Sequence, residues 1–156
     1  MADANKFLVG TNLKLPSFDE ARRFQFKKYW QECGFKFILS DDNLHLARRG
    51  AFVKTFFSMN PRHLETKLTA AWMPSKELEC VMEINMFLQQ ITEWHKAFLE
   101  LEMLIFESYM LNDDRKTALW REFEEDLKDA DAQYMWTAGI FGKKMPENLR
   151  RKYLGR

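Results

Sequence analysis

Histidine and cysteine are the residue types that most often supply metal ligands or nucleophiles, and the chain has three histidines and two cysteines. His45, His63 and His95 are far apart in the sequence, and none of them belongs to an HExxH pair or to another spacing that brings two ligands to one metal ion. Cys33 and Cys80 form no CxxC pair, and no GxSxG segment surrounds a serine. These spacings predict neither a metal site nor a nucleophilic centre.

Carboxylates are the next candidates for chemistry, and they recur along the middle of the chain at Glu79, Glu83, Glu93, Glu100 and Glu102. Acid–base catalysis needs one carboxyl group whose pKa is raised by an apolar or like-charged setting. The sequence contains nothing that makes these side chains converge. We expect instead a solvated sheet face, with cross-strand pairs between Glu79 or Glu83 and the cations Lys54 and Lys67.

Phosphate-binding loops are also missing from the sequence. The chain has only six glycines, and neither a GxGxxG segment nor a P-loop is present. The sequence therefore predicts no cofactor, no catalytic residue and no enzymatic activity.

An aromatic and basic segment stands near the C-terminus of the chain. Residues 135–144 and 150–154 combine large apolar side chains with cations, namely Trp136, Ile140, Phe141, Lys143, Lys144, Arg150 and Arg151. Such a segment folds back onto the core, docks onto a partner protein or anchors a protein on an anionic membrane surface. We name these residues as candidates for partner binding.

The formal net charge of +1 hides three blocks of opposite sign. Residues 1–75 hold 12 basic and 7 acidic residues, residues 76–131 hold 6 and 15, and residues 132–156 hold 6 and 1. Such blocks either neutralise one another within the fold or steer a charged partner, and they can align copies of a protein head to tail. We do not expect nucleic-acid binding, because the acidic middle block would repel phosphate.

Length and composition predict one folded domain. The chain has 156 residues, of which 46% are hydrophobic, 30% charged and 15% aromatic, and these values are typical of a globular protein with a substantial core. No run of residues approaches the ~20 apolar residues of a membrane span. The first residues lack the regions of a signal peptide, and the two cysteines form no disulfide framework. We therefore expect a cytoplasmic protein, with peripheral membrane association as the alternative.

Hydrophobic periodicity predicts strands in the first half of the chain, interrupted by one helix. Alternation indicates strands at 6–15, 35–40, 44–59, 64–72 and 77–86, of which 44–59 is coiled at Gly50. On the second of these, Phe35, Phe37 and Leu39 share one face. A capping box at Ser17 and Glu20 starts the helix, which runs to Cys33, and Gly34 ends it. Residues 1–86 are expected to form a helix-plus-sheet half.

The second half is predicted to be helical over residues 87–142, with a basic tail at 143–156. A helix at 87–111 is apolar around most of its circumference and must be covered on two sides, by the sheet and by a second helix or another copy. We name Trp94, Phe98 and Ile105 on this helix as further candidates for partner binding. A helix at 114–134 carries an acidic outer face, and a short helix at 147–154 follows.

The order of a strand, a helix and a four-stranded antiparallel meander resembles the arrangement of cystatins, in which one helix is embraced by a coiled sheet. The resemblance concerns the order of elements alone. The Gln-x-Val-x-Gly segment by which cystatins block cysteine proteases is missing, so no inhibitory activity is carried over.

The sequence favours a non-catalytic accessory or assembly protein that acts through protein–protein contacts, including self-association. The long helix with two apolar sides, the charge blocks and the aromatic-basic tail all predict surfaces for a partner. The alternative is a carrier of a small apolar ligand or lipid, because a helix held in a curved sheet can enclose an apolar cavity.

Overall fold

A computed structural model of the chain describes residues 5–51, 61–86, 89, 91 and 93–111, without the side chains of residues 93, 94 and 97. The predicted helices at 114–134 and 147–154, the basic tail and residues 52–59 of the long strand lie outside the described residues. The elements are β1 (Lys6–Lys14), α1 (Glu20–Glu32), β2 (Lys36–Ser40), β3 (Leu44–Arg49), a 3-10 turn (Pro61–His63), β4 (Thr66–Trp72), β5 (Glu77–Asn85) and α2 (Glu93–Met110).

The five strands form one antiparallel sheet in the order β1-β5-β4-β3-β2. Strands β2 to β5 follow one another as a meander, and β1 pairs along its whole length with β5, from Lys6 opposite Asn85 to Lys14 opposite Glu77. The predicted α+β class is confirmed. The strand at 77–86 is also confirmed, because Leu78 and Met82 are buried on one face while Glu79 is exposed on the other.

Both ends of α1 are closed by local hydrogen bonds. The helix begins two residues later than the sequence predicts, since Asp19 is the N-cap and its carboxylate accepts from the Arg22 N–H at 2.9 Å. The predicted capping box at Ser17 is therefore wrong. At the other end Gly34 has φ +99°, and the Phe35 N–H donates to the Trp30 carbonyl at 2.9 Å, as in a Schellman motif.

The start of α2 also differs from the prediction of a helix from residue 87. Gln89 and Ile91 are not helical, and α2 begins at Glu93. The Gln89 side chain is 4% exposed and binds the backbone of another segment: its Oε1 accepts from the Glu65 N–H at 2.7 Å and its Nε2 donates to the Glu65 carbonyl at 3.2 Å. This tertiary contact competes with helix formation at residue 89.

The core lies between the inner face of the sheet and the two helices. Trp30 is fully buried at its centre, and its ring centroid lies 4.9 Å from those of Tyr29 and Phe106 and 5.4 Å from that of Phe35. Aromatic pairs at these separations add to the stabilisation that their buried area provides. The two helices are also connected by hydrogen bonds, because the side chains of Arg22 and Gln25 in α1 donate to the last backbone carbonyls of α2.

A β-bulge changes the faces of β2. Phe37 pairs with Ala47 and Leu39 pairs with Leu46, so Ile38 is the extra residue between them. Directly paired residues of antiparallel strands point to the same face. Phe37 therefore faces the core with Ala47, whereas Leu39 lies with Leu46 on the opposite face. The prediction that Phe37 and Leu39 share a face is wrong because the bulge shifts the alternation by one residue.

Gly50 ends β3 rather than continuing a long strand. Its φ is +77°, and the following Ala51 N–H donates to the His63 carbonyl at 3.2 Å. A Cβ atom on Gly50 would overlap the carbonyl oxygen of Leu64. The strand predicted at 44–59 thus stops at Arg49 in the structure, because the backbone turns at the next residue.

We expect Gly50→Ala to lower the free energy of unfolding by about 2–3 kcal/mol, because a left-handed residue with a Cβ is strained and the Leu64 backbone must also move. Gly34→Ala is the matched control: its φ is also positive, but the nearest atom to its Cβ lies at 3.5 Å, on the Arg49 side chain. Urea unfolding of both variants tests this. Equal losses would show that the close approach at Gly50 contributes nothing.

Candidate functional site

A fully buried carboxylate is the most unusual charged group of the described residues. Glu102 of α2 has a side chain that is 0% exposed and forms a two-point ion pair with Arg49, the last residue of β3, at 2.7 and 2.8 Å. Arg62 donates from Nε to the same carboxylate at 3.2 Å. Arg49 also binds the Cys33 carbonyl at 3.0 Å, and Tyr29 donates its hydroxyl to the Glu102 backbone carbonyl at 2.6 Å.

The geometry of this cluster favours a structural role, in which it connects β3, α1 and α2, over a catalytic one. Both oxygens of Glu102 accept hydrogen bonds from guanidinium groups, so the carboxylate is already fully engaged within the chain. The Arg49 guanidinium also lies over the Phe35 ring, 4.4 Å from its centroid. The carboxylate has no exposed edge at which a substrate would meet it.

The thiols and the phenol in the core are similarly unsuited to nucleophilic chemistry. Cys33 and Cys80 are both buried, and burial raises the pKa of the Cys80 thiol. Burial also raises the pKa of Tyr29 well above its ordinary value, with nearby Cys33 and Glu102 adding to the effect. A thiol or phenol in such a setting stays protonated.

His45 is a buried titratable group on the inner face of β3, only 1% exposed. Its Nδ1 lies 2.8 Å from the Ser40 hydroxyl. Its Nε2 has no hydrogen-bond partner among the described residues. The aromatic rings around it are those of Phe18, Phe26 and Phe37. Burial, followed by the positive charge of Lys27, lowers the pKa of His45. Within the described ranges, no group of three or more His, Cys, Asp or Glu residues is arranged to hold a metal ion.

The opposite face of the sheet, which we call the outer face, carries charges of a different kind. In the register of the sheet, Glu83 lies opposite Lys67, Lys67 opposite Arg48, and Arg48 opposite Lys36. The last three form a row of cations on three neighbouring strands, which we call the cation row. Like charges directly opposite each other destabilise a sheet. No ion pair joins the cation row to any described residue, although Glu83 lies directly opposite Lys67 in the register.

A cavity of about 300 Å³ opens beside the cation row. It is lined by Lys6, Arg48, Glu65, Thr66, Lys67, Glu83, Asn85 and Gln89. Within it Lys6 pairs with Glu83 at 2.7 Å. The pairing satisfies one cation of the cavity and leaves Arg48 and Lys67 facing solvent without a described counter-ion.

Parallel to the cation row, the outer face carries a row of small and apolar residues. The register aligns Gly10, Val81, Thr69, Leu46 and Leu39 across all five strands, and we call this the apolar row. Leu39 is 41% exposed, and its neighbours Ile38 and Leu44 are 65% and 37% exposed. An apolar strip bordered by charges is typical of a protein-contact surface.

Of the partner-binding residues named from the sequence, only Phe98 and Ile105 have described side chains. Phe98 and Ile105 are each 1% exposed and belong to the core of this chain, so the described fold does not present them to a partner. The side chain of Trp94 lies outside the described residues. The same holds for the whole C-terminal set, Trp136, Ile140, Phe141, Lys143, Lys144, Arg150 and Arg151.

The sequence did not predict the two rows of the outer face because they depend on the register between strands. The alternation of β4 already indicates that Lys67 and Thr69 point away from the core. Glu83 lies opposite Lys67 in the register, as the sequence predicts, but no ion pair joins them. The predicted meander makes β3 the other neighbour of β4, yet local spacing does not give the register that places Arg48 opposite Lys67 and Lys36 opposite Arg48.

Comparisons of the chain with family models, with curated proteins and with solved structures found no significant match. In the part of the chain that the structure describes, none of the helices combines the length and the apolar character that crossing a membrane requires.

We expect Glu102→Gln to lower the free energy of unfolding by about 3–5 kcal/mol, because it leaves the Arg49 guanidinium buried without a counter-charge. The double variant Arg49→Met/Glu102→Leu is the control. It removes both buried charges, and Arg62, which is 21% exposed, can turn to water. Chemical denaturation of the three proteins tests this: a double variant no more stable than Glu102→Gln would contradict the assignment.

We expect the protein to become less stable as the pH falls below about 6.5, the ordinary histidine pKa. Because the folded state lowers the pKa of His45, the unfolded chain takes up a proton that the folded one resists. Stability is then full above pH ~6.5 and decreases below it by at most about 1.4 kcal/mol per pH unit. Urea midpoints between about pH 5 and 7.5 should show a shallower slope for His45→Asn, which does not titrate. An identical slope would exclude His45 as the cause.

Proposed function

We propose that this protein is a non-catalytic accessory or assembly protein that binds another protein chain through the outer face of its sheet. The proposal depends on one observation. The cation row and the apolar row lie side by side on a face of the sheet that no described helix covers. The cations cost stability where they stand, and an anionic partner would relieve their repulsion. The proposal includes a cytoplasmic location.

The arrangement of the inner face supports a binding role over a catalytic one. Glu102 is saturated by two guanidinium groups, and the thiols are buried in the core. A carrier of an apolar ligand is less well supported, because Trp30, Phe26 and Phe106 occupy the space between sheet and helices that such a ligand would need. The cystatin-like order of elements stays a prediction, and the proposal does not depend on it.

The outer face also has the composition of a contact surface. An apolar centre excludes water and supplies most of the binding energy, while the bordering charges orient the partner. Here Thr69 stands in the middle of the apolar row, with Val81 and Leu46 on either side of it. Such a surface accepts another chain lying across the strands.

Site-specific photo-crosslinking tests the proposal. A photoreactive phenylalanine analogue replaces Thr69, in the middle of the apolar row, and in a matched variant it replaces Lys28, an exposed residue of α1 on the other side of the molecule. Irradiation of host cells should give protein adducts at position 69, to another copy or to a different protein, well above those at position 28. Equal yields at both positions would exclude the outer face as the contact surface.

A further inference from the structure

We propose that the partner on the outer face is a second copy of this chain, whose acidic segment 122–131 binds along the cation row. The proposal rests on the function proposed above and specifies its partner. It describes a head-to-tail contact, in which one surface of a copy meets a different surface of the next.

Charge complementarity is the first argument. The cation row of Lys36, Arg48 and Lys67 has no ion-pair partner among the described residues. The segment 122–131 holds six acidic residues and a single basic one. The chain as a whole has a formal net charge of +1. One chain therefore carries both halves of a charge-matched contact, and no foreign protein is needed to supply the anion.

The apolar row is the second argument, and it separates a protein segment from a nucleic acid. A phosphate backbone would satisfy the cations, but it offers nothing to the leucines beside them. The acidic segment carries Phe123 and Leu127 among its carboxylates. In the proposed contact these two apolar side chains pack on the apolar row, and the carboxylates bind the cation row.

The position of the cavity agrees with this occupant. Arg48 and Lys67 line its wall, and Lys6 is already held by Glu83 at 2.7 Å. The lining holds three cations and two carboxylates, Glu65 and Glu83, so an incoming carboxylate from another chain would meet a small excess of positive charge. Two charge-assisted hydrogen bonds would orient the incoming segment.

A head-to-tail contact has a consequence that a symmetric dimer does not share. Each copy keeps one unused basic face and one unused acidic segment, so assembly continues into rings or open chains. Because the charges at the rim are exposed, assembly should weaken as salt screens them.

Complementary neutral variants test the contact. The first, Lys36→Gln/Arg48→Gln/Lys67→Gln, removes the cation row, and the second, Glu124→Gln/Glu125→Gln/Asp126→Asn, removes acidic charge from the segment. Neutral substitutions are chosen because charge reversal would create a new complementary pair in the mixture. Thermal unfolding first confirms that both variants fold. The mass in solution is then measured by sedimentation over a range of concentrations, for each variant alone and for their equimolar mixture.

We expect the wild-type chain to grow in mass with concentration, and to do so less at about 0.5 M than at about 0.05 M salt. Each variant alone should associate at least roughly tenfold more weakly. The mixture should form dimers and grow no further, because only one complementary contact remains. The matched control Lys28→Gln/Lys76→Gln/Lys96→Gln loses the same charge from exposed lysines off the outer face, and it should assemble like the wild type.

Several results would overturn the inference. A wild-type chain that stays monomeric at every concentration excludes the second copy, and a mixture that stays monomeric excludes the head-to-tail contact. Assemblies that dissolve on nuclease treatment assign the cation row to nucleic acid. If the chain is monomeric while position 69 crosslinks to a different protein, the self-association fails and the proposed docking function stands. If position 69 crosslinks to nothing, the docking function itself fails.

Discussion

The ion pair between Arg49 and Glu102 is the contact on which the arrangement of the other elements depends. A carboxylate with no exposed surface is tolerated only when nearby cations and hydrogen bonds replace the water it has lost. Arg49 provides two of those bonds from the end of β3, and Arg62 adds a third from the 3-10 turn. The chain must therefore turn immediately after Arg49, which Gly50 allows by adopting a positive φ.

The same pair connects the helices to the sheet. Arg49 binds the Cys33 carbonyl at the C-terminal end of α1, and Tyr29 of α1 binds the backbone of Glu102 in α2. Apolar packing around Trp30 is not directional and would allow the helices to slide along the sheet. The buried charges do not allow this, because any shift leaves a guanidinium or a carboxylate unpaired. The ion pair thus sets the position of α2, and the aromatic core fills the space that remains.

The charged side chains on the two faces of the sheet differ in how they are paired. On the inner face the buried charges of Arg49 and Glu102 neutralise each other, and their contact stabilises the fold. On the outer face Lys36, Arg48 and Lys67 stand next to one another without a described counter-ion. A fold selected for stability alone has no reason to align three cations, so the outer face is where binding to a partner is best sought.

Local patterns in the sequence determined the type of most elements. Alternation along 77–86 identified β5 despite its helix-forming residues, and Gly34 marked the end of α1, because both depend on neighbours only a few residues away. Tertiary contacts decided the rest. The bulge at Ile38, the late start of α2 beside Gln89 and the burial of Glu102 all involve partners distant in sequence, and so does the cation row on the outer face. Spacing along one chain does not fix the register between neighbouring strands, and that register places the three cations side by side.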